Sequence, residues 1–244
     1  MPESPAGEVK RIYRYPVKSF AGKRLDSARI EAYGLYGDRC YAFVDNTKQG
    51  WDRFVTARQI PQMLGYRAVL GTQDDAGEFP QIEVTGPDGR QFQWDEHLLR
   101  EIQQYTSRKI TTESHRASSR EKKAVDDGSI LIITERSIRT LERLWGKKVD
   151  LRRFRPNLVI SLDDEAGDDE ADWVGRRMQI GEVELSIQSM CERCSMITFD
   201  PDTIERDPSL LTKVHEGMGL QFGMYADVGK TGTIRVGDPI YLQV

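Results

Sequence analysis

"MQIGEVELSI", residues 178–187, reads as two short strands broken at a Gly181–Glu182 turn. The same wording recurs along the chain. "VKRIYRYP" from Val9, "SARIEAYG", "CYAFVD", "YRAVLG", "QIEVTG" and the closing "GTIRVGDPIYLQV" are short and mix β-branched with aromatic residues. Each ends at Gly, Pro or Asn/Asp punctuation. "TGPDGRQF" is a hairpin, with Pro87 and Gly89 supplying the turn. "SILIIT" and "PNLVIS" are continuous apolar runs of the kind found in buried strands. Helical spacing is confined to three places. "DEHLLREIQQY" aligns Leu98, Leu99 and Ile102, and "ERSIRTLERLW" aligns Ile138, Leu141 and Trp145. "DPSLLTKVHEG" has an Asp cap, Pro at the first helical position and a terminal glycine. Strands outnumber helices, which predicts a β-rich, barrel-like α+β protein. Residues 1–7 read as a loose tail, and the polar, basic stretch 106–124 as the boundary between two halves.

A chain of 244 residues makes one large domain or two modest ones. With 35 basic against 39 acidic residues, the net charge of −4 gives no electrostatic case for nucleic acid as a partner. No apolar run approaches the roughly 20 residues that cross a bilayer, so no membrane is expected. The start, "MPESPAGEVKRIYRYP", lacks an apolar signal core. An odd count of three cysteines suits a reducing compartment better than a disulfide framework. The expectation is a cytoplasmic protein without a cleaved leader.

"SMCERCSM", residues 189–196, holds Cys191 and Cys194. A structural zinc site needs four ligands, and His97, His115 and His215 are isolated from each other and from this pair. A thioredoxin-like dithiol opens a helix, whereas "ITFDP" here reads as strand and turn. Two readings stay open: a pair of buried cysteines packed as small hydrophobes, or a working thiolate favoured by Arg193. The acidic run 163–172 reads first as hydrated surface, and second as a steering charge for a basic partner; Trp173 after it reads as a core anchor. Lys18, Ser19, Arg39, Arg58, Arg153 and Arg155 stand in turn or strand contexts. Buried arginines need anionic or hydrogen-bonding partners, and several converging on one pocket suit a phosphate or another dense anion.

"RFRPNLVIS", "DW", "MQIGEVEL", "CERCSMITFDPDT" and "TGTIRVGDPIYL", in that order, resemble the MOSC domain, the molybdenum cofactor sulfurase C-terminal domain. "VKRIYRYPVKSFAGKRLDSARIEAYGLYGDRCYAFVD" with "TARQ" resembles the smaller N-terminal β-barrel domain that precedes it in the branch holding the mitochondrial amidoxime-reducing components and their bacterial counterparts. The resemblance implies an N-terminal domain over residues 8–112 and a MOSC domain over residues 113–244. It further implies a molybdenum cofactor, Mo-molybdopterin, with Cys194 as the protein's metal ligand and catalytic residue. Lys18, Ser19, Arg39, Arg58, Arg155 and Asn157 would then cradle the pterin, with Asp126 and Ser129 in the "DDGS" loop beside it and Cys191 close by. Pyridoxal phosphate binding is a further property implied for the wider family. The implied activity is reduction of N-oxygenated, N-hydroxylated small molecules. Three cysteines are too few for an iron–sulfur cluster held by four, so electrons are expected from a separate flavoprotein or ferredoxin-type donor. The alternative is a sulfur or cofactor carrier working through a cysteine persulfide. A monomer is expected.

Overall fold

Gly181, at φ +57°, turns the strand Arg177–Ile180 back into the ten-residue strand Val183–Glu192. Met178, Ile180, Val183, Leu185 and Ile187 all point into one core. This hairpin is one part of a closed sheet in the computed structural model, which describes residues 5–71, 79–115, 124–125, 127–162 and 170–243. Strand order around the sheet is Leu158–Leu162, Ile130–Thr134, Gln221–Lys230, Val183–Glu192, Arg177–Ile180, Pro239–Gln243 and Gly7–Arg14. Gly7–Arg14 then pairs antiparallel with Leu158–Leu162 and closes a seven-stranded barrel. Ile130–Thr134 and Leu158–Leu162 form its one parallel pair, joined by a helical crossover as parallel strands require. Lys23–Leu25 hangs on Gly7–Arg14 as an extra strand. The fold class read from the sequence is the one observed.

An apolar cluster fills the barrel, and Trp173 sits fully buried in it, as its place after the acidic run suggested. Residues 163–169 of that run lie outside the described residues. The N-terminal part builds two further three-stranded sheets: Thr111–Ser114 with Tyr41–Val44 and Phe54–Val55, and Arg67–Leu70 with Ile82–Thr85 and Gln91–Gln93. They enclose a second core around Phe20, Phe43, Tyr66, Leu98 and Ile102. Sequence order and sheet membership part company at the first strand. Gly7–Arg14 lies N-terminal to the second core yet closes the C-terminal barrel, and Ser27–Glu31 pairs with Gly232–Arg235.

Among the described residues the three α-helices are α1 (Glu96–Gln103), α2 (Glu135–Trp145) and α3 (Ser209–Met218). Asp95 caps α1 by accepting from the His97 and Leu98 N–H groups. Thr134 caps α2, and Gly146 ends it in the left-handed conformation. For α3 the terminal glycine is Gly219, two residues beyond the Gly217 expected from the sequence. Among the described residues no helix is long and apolar enough to cross a membrane.

Asp207 secures the start of α3. Its Oδ1 accepts from the Ser209 N–H (3.0 Å) and Oγ–H (2.5 Å), and Lys147 Nζ donates to Oδ2 at 2.9 Å. The Ser209 hydroxyl first, and Lys147 next, hold its carboxyl down at about 2. A depressed folded pKa stabilises above the unfolded value of about 3.9 and loses that contribution as protons are taken up below it. Asp207→Asn is therefore expected to flatten the fall in urea stability between about pH 4 and the folded value of about 2. An unchanged slope would contradict this assignment.

Candidate functional site

Between the two cores lies a cavity of about 640 Å³, inside the roughly 300–1,000 Å³ range of small-molecule sites. One wall comes from the N-terminal part through Lys18, Ser19, Arg39 and the segment Trp51–Arg58; the other comes from Arg153–Asn157 and Cys191–Ile197 of the barrel rim. Six cationic side chains (Lys18, Arg39, Arg58, Arg153, Arg155 and Arg193) face two carboxylates, Asp127 and Glu192. Arg39 and Arg153 are ion-paired with Asp38 and Asp200, and the positive charge that remains favours an anion in the cavity.

Three wall residues hold backbone conformations that side chains disfavour. Ser19, Arg39 and Arg155 have φ of 69°, 48° and 57°, a left-handed state costing about 1–2 kcal/mol each. Non-glycine residues keep such a conformation where the surroundings over-determine it, and these places cluster at binding sites. The surroundings are visible here. The Ser19 Oγ accepts from the Ala57 N–H at 3.0 Å, within a turn closed by the Phe20 N–H on the Val17 carbonyl at 3.2 Å. The Arg39 N–H donates to the Tyr15 carbonyl at 2.7 Å, and the Tyr15 N–H donates to Asp38 Oδ1 at 2.7 Å. The Arg39 guanidinium is bonded to Asp38 Oδ2 and reaches Asn157 Oδ1 (3.3 Å) and the Arg155 carbonyl (3.2 Å). Arg155 Nη1 donates to the Phe20 carbonyl at 2.6 Å. Both guanidinium groups lie over the ring of Tyr15, at 4.8 and 4.3 Å. Burial pushes the Tyr15 phenol pKa well up, so its O–H stays a donor, to the Pro156 carbonyl at 3.1 Å.

Lys18 enters the same wall. Its ammonium donates to the Ala124 carbonyl at 2.9 Å and lies 4.0 Å from the centre of the Trp51 ring. Arg58 is exposed at the rim, its Nε 3.4 Å from Thr56 Oγ1.

Where the strand Val183–Glu192 reaches the cavity its pairing slips. Met190 faces Met224 but Glu192 faces Gln221, which leaves one extra residue on the opposite strand. Gly223, at φ +83°, takes up the bulge, and a Cβ there would lie 2.7 Å from the Ile132 carbonyl oxygen. Cys191 is buried against Leu131 and Tyr225. Cys194 is exposed, stands at the N-cap of the turn Ser195–Thr198 and makes no capping bond. The two cysteines thus have different environments. "ITFDP" does not form the expected strand: Ser195–Thr198 is a single 3₁₀ turn, and Phe199 makes one bridge to Arg206. Arg193 also departs from expectation. Its Nε donates to the Phe222 carbonyl (2.7 Å) and its Nη1 to the Phe154 carbonyl (3.1 Å), so it clamps the cysteine segment to both neighbours. Its Nη2 is buried without a hydrogen-bond partner among the described residues.

Of the residues singled out from the sequence, Lys18, Ser19, Arg39, Arg58, Arg155, Asn157, Cys191 and Cys194 line this one cavity. Ser129 does not; its N–H (3.3 Å) and Oγ–H (3.1 Å) are both donated to Asp227 Oδ1. Asp126 lies outside the described residues. The sequence reading missed Trp51 and Phe54, whose signal was a pair of aromatics in a polar loop, "GWDRF". No three His, Cys, Asp or Glu side chains among the described residues cluster to hold a metal ion.

The MOSC domain model matches residues 119–241, and the MOSC N-terminal beta barrel domain model matches residues 6–129. Among curated proteins, the mitochondrial amidoxime-reducing component 1 of Mus musculus is 29% identical over 97% of this chain and 82% of its own. The Homo sapiens protein of the same name is also 29% identical, over 97% of this chain and 83% of its own. Among solved structures, the YUAD protein from Bacillus subtilis shares the fold with a TM-score of 0.51 at 15% identity, covering 97% of this chain and 94% of that one. Each family model spans about half of the chain and together they account for both walls of the cavity, so the chain belongs to the MOSC domain family, with a MOSC N-terminal beta barrel domain ahead of the MOSC domain.

Proposed function

We propose that the protein binds a pyranopterin-dithiolene molybdenum cofactor in this cavity and reduces N-hydroxylated small molecules with electrons from a separate protein. The observation that carries the reading is an exposed, uncapped cysteine at the edge of a cation-rich cavity whose wall residues are held in strained conformations. Relatives named as amidoxime-reducing components support the substrate class.

The donor set fits the group. Cys194 offers one soft ligand, and among the described residues no group of three or more His, Cys, Asp or Glu side chains forms a metal site, which suits a metal whose other sulfurs arrive with the cofactor. The buried Nη2 of Arg193 is a donor without a partner among the described residues, and a buried donor of that kind calls for a ligand acceptor. Arg39, Arg155 and Lys18 would take the phosphate and polar ring edges, with Ser19, Arg58 and Asn157 beside them. When bound, the molybdenum supplies the two-electron chemistry that breaks the N–O bond. An amidoxime then takes up two electrons and two protons to give an amidine and water. Glu192 and Asp127, the carboxylates of the cavity lining, would pass those protons. Trp51 and Phe54 screen the Lys18 side from water.

Protein made in a host that synthesises the cofactor is expected to carry about one molybdenum and one pterin per chain, as one thiolate ligand implies. It should convert benzamidoxime to benzamidine with reduced methyl viologen as donor. Absence of molybdenum together with cyanide-releasable sulfur on Cys194 would overturn this reading in favour of a persulfide carrier. Cofactor retained without turnover by any donor would favour a cofactor carrier.

A further inference from the structure

The outer side of α2 carries a second feature that the cavity does not use. Arg136, Arg139, Arg143, Lys147 and Lys148 line a shallow surface cleft of about 830 Å³ with a single carboxylate, Glu142. Glu142 is engaged by Lys148 Nζ at 3.0 Å and by the Val149 N–H at 3.1 Å. Arg139 and Arg143 are exposed, and Leu144 beside them is 41% exposed. Lys147 is ion-paired with Asp207 and Lys148 with Glu142, so the exposed Arg139 and Arg143 carry most of the positive charge of this face, on a chain whose net charge is −4.

The inner side of α2 is tied to the cavity. Leu141 is buried in a cluster with Phe154, Ile197 and Phe222, and Phe154 and Ile197 line the cavity. The cleft lies on the outer side of α2, whose buried Leu141 shares one apolar cluster with two residues of the cavity lining.

We infer that this cleft is the docking face for the acidic surface of a small electron-carrier protein. The inference rests on the reductase reading and names the partner's chemistry. An acidic patch meeting this face would be steered to it by long-range attraction, and electron-transfer encounters bury little surface. Eleven residues of α2 give a face about 16 Å long at 1.5 Å per residue, which matches such an encounter. It is short for duplex DNA, whose charges recur about every 1.7 Å along a continuous track.

The test uses the cofactor-loaded protein and a reduced plant-type [2Fe–2S] ferredoxin, an acidic one-electron carrier of which two equivalents reduce one amidoxime. Arg139→Glu/Arg143→Glu is expected to lower kcat/KM for the ferredoxin about tenfold or more and to flatten its dependence on salt. Turnover with reduced methyl viologen and the melting temperature should stay unchanged. In parallel, titration calorimetry with oxidised ferredoxin should show binding that weakens with added salt in the wild type and is lost in the variant. If the charge reversal disturbs folding, Arg139→Gln/Arg143→Gln carries the same expectation at smaller size. Ferredoxin binding and ferredoxin-driven rates untouched by either variant would overturn the docking face. Binding of the wild type to phosphatidylserine vesicles or duplex DNA through these arginines, with none to ferredoxin, would overturn it too. If viologen fails to drive reduction in the wild type, the reductase reading fails, and the calorimetry still decides the docking face.

Discussion

Cys194→Ala is expected to abolish amidoxime reduction, with a loss of at least about 10³-fold, the scale on which removing a residue of the reacting centre acts. Molybdenum and pterin content should fall with it, because the variant removes the thiolate that the chain offers at the cavity. The side chain is exposed and makes no capping bond. Its removal should therefore change the stability of the empty protein by no more than about 0.5 kcal/mol, the usual range for surface sites. Cys191→Ala is the informative companion. Cys191 is buried against Leu131 and Tyr225 at the end of a strand, so its loss should cost about 1 kcal/mol of packing and leave metal content near that of the wild type. The reverse pattern, with metal lost from Cys191→Ala and retained in Cys194→Ala, would move the ligand assignment to the buried thiol.

The contrast between the two cysteines marks what a sequence can and cannot carry. Strands bounded by turn residues were legible because the signals are local: Gly181 sits between two strand segments, and Ile138, Leu141 and Trp145 recur at helical spacing in α2. The barrel's closure was not, because Gly7–Arg14 finds its partners about 150 and 230 residues further on. "ITFDP" failed for a related reason. Ile197 and Thr198 are β-formers by type, but both are buried in a 3₁₀ turn, Ile197 against α3, and tertiary packing overrides such preferences. The cationic wall was half legible. Arg39 and Arg155 stand beside apolar runs and so had to be partnered, yet their convergence on Tyr15 depends on residues more than a hundred positions apart. Ser129, in the loop that brings Asp127 and Gly128 to the cavity, is bonded to Asp227 and lies outside the lining.

Asn157→Leu should be the most damaging change to the fold among the cavity residues, at about 3–5 kcal/mol, because it strands several buried polar groups at once. Asn157 heads the strand between Ile130–Thr134 and Gly7–Arg14 and is 1% exposed. Its main chain makes one rung to each neighbour, donating to the Leu131 carbonyl at 2.8 Å and accepting from the Tyr13 N–H at 2.8 Å. Its side chain completes both exchanges. Oδ1 accepts from the Leu131 N–H at 3.1 Å, and Nδ2 donates to the Tyr13 carbonyl at 3.3 Å. The same Oδ1 also meets Arg39 Nη1 at 3.3 Å. One amide thus ends the barrel's parallel pair and fixes a cation of the cavity wall. Leucine matches its size but leaves the Leu131 N–H and the Tyr13 carbonyl unpaired, each at about 1–3 kcal/mol. Against a total stability of about 5–15 kcal/mol, that loss should be plain in urea unfolding. Asn157→Asp keeps the acceptor for Leu131 and Arg39 and loses only the donor to Tyr13, so it should cost less than the leucine. Cofactor retention should follow the same order, with the leucine variant losing most pterin. A leucine variant within about 1 kcal/mol of wild type would mean that water or a shift of the rim replaces the amide, and Asn157 would then not couple barrel closure to the cavity.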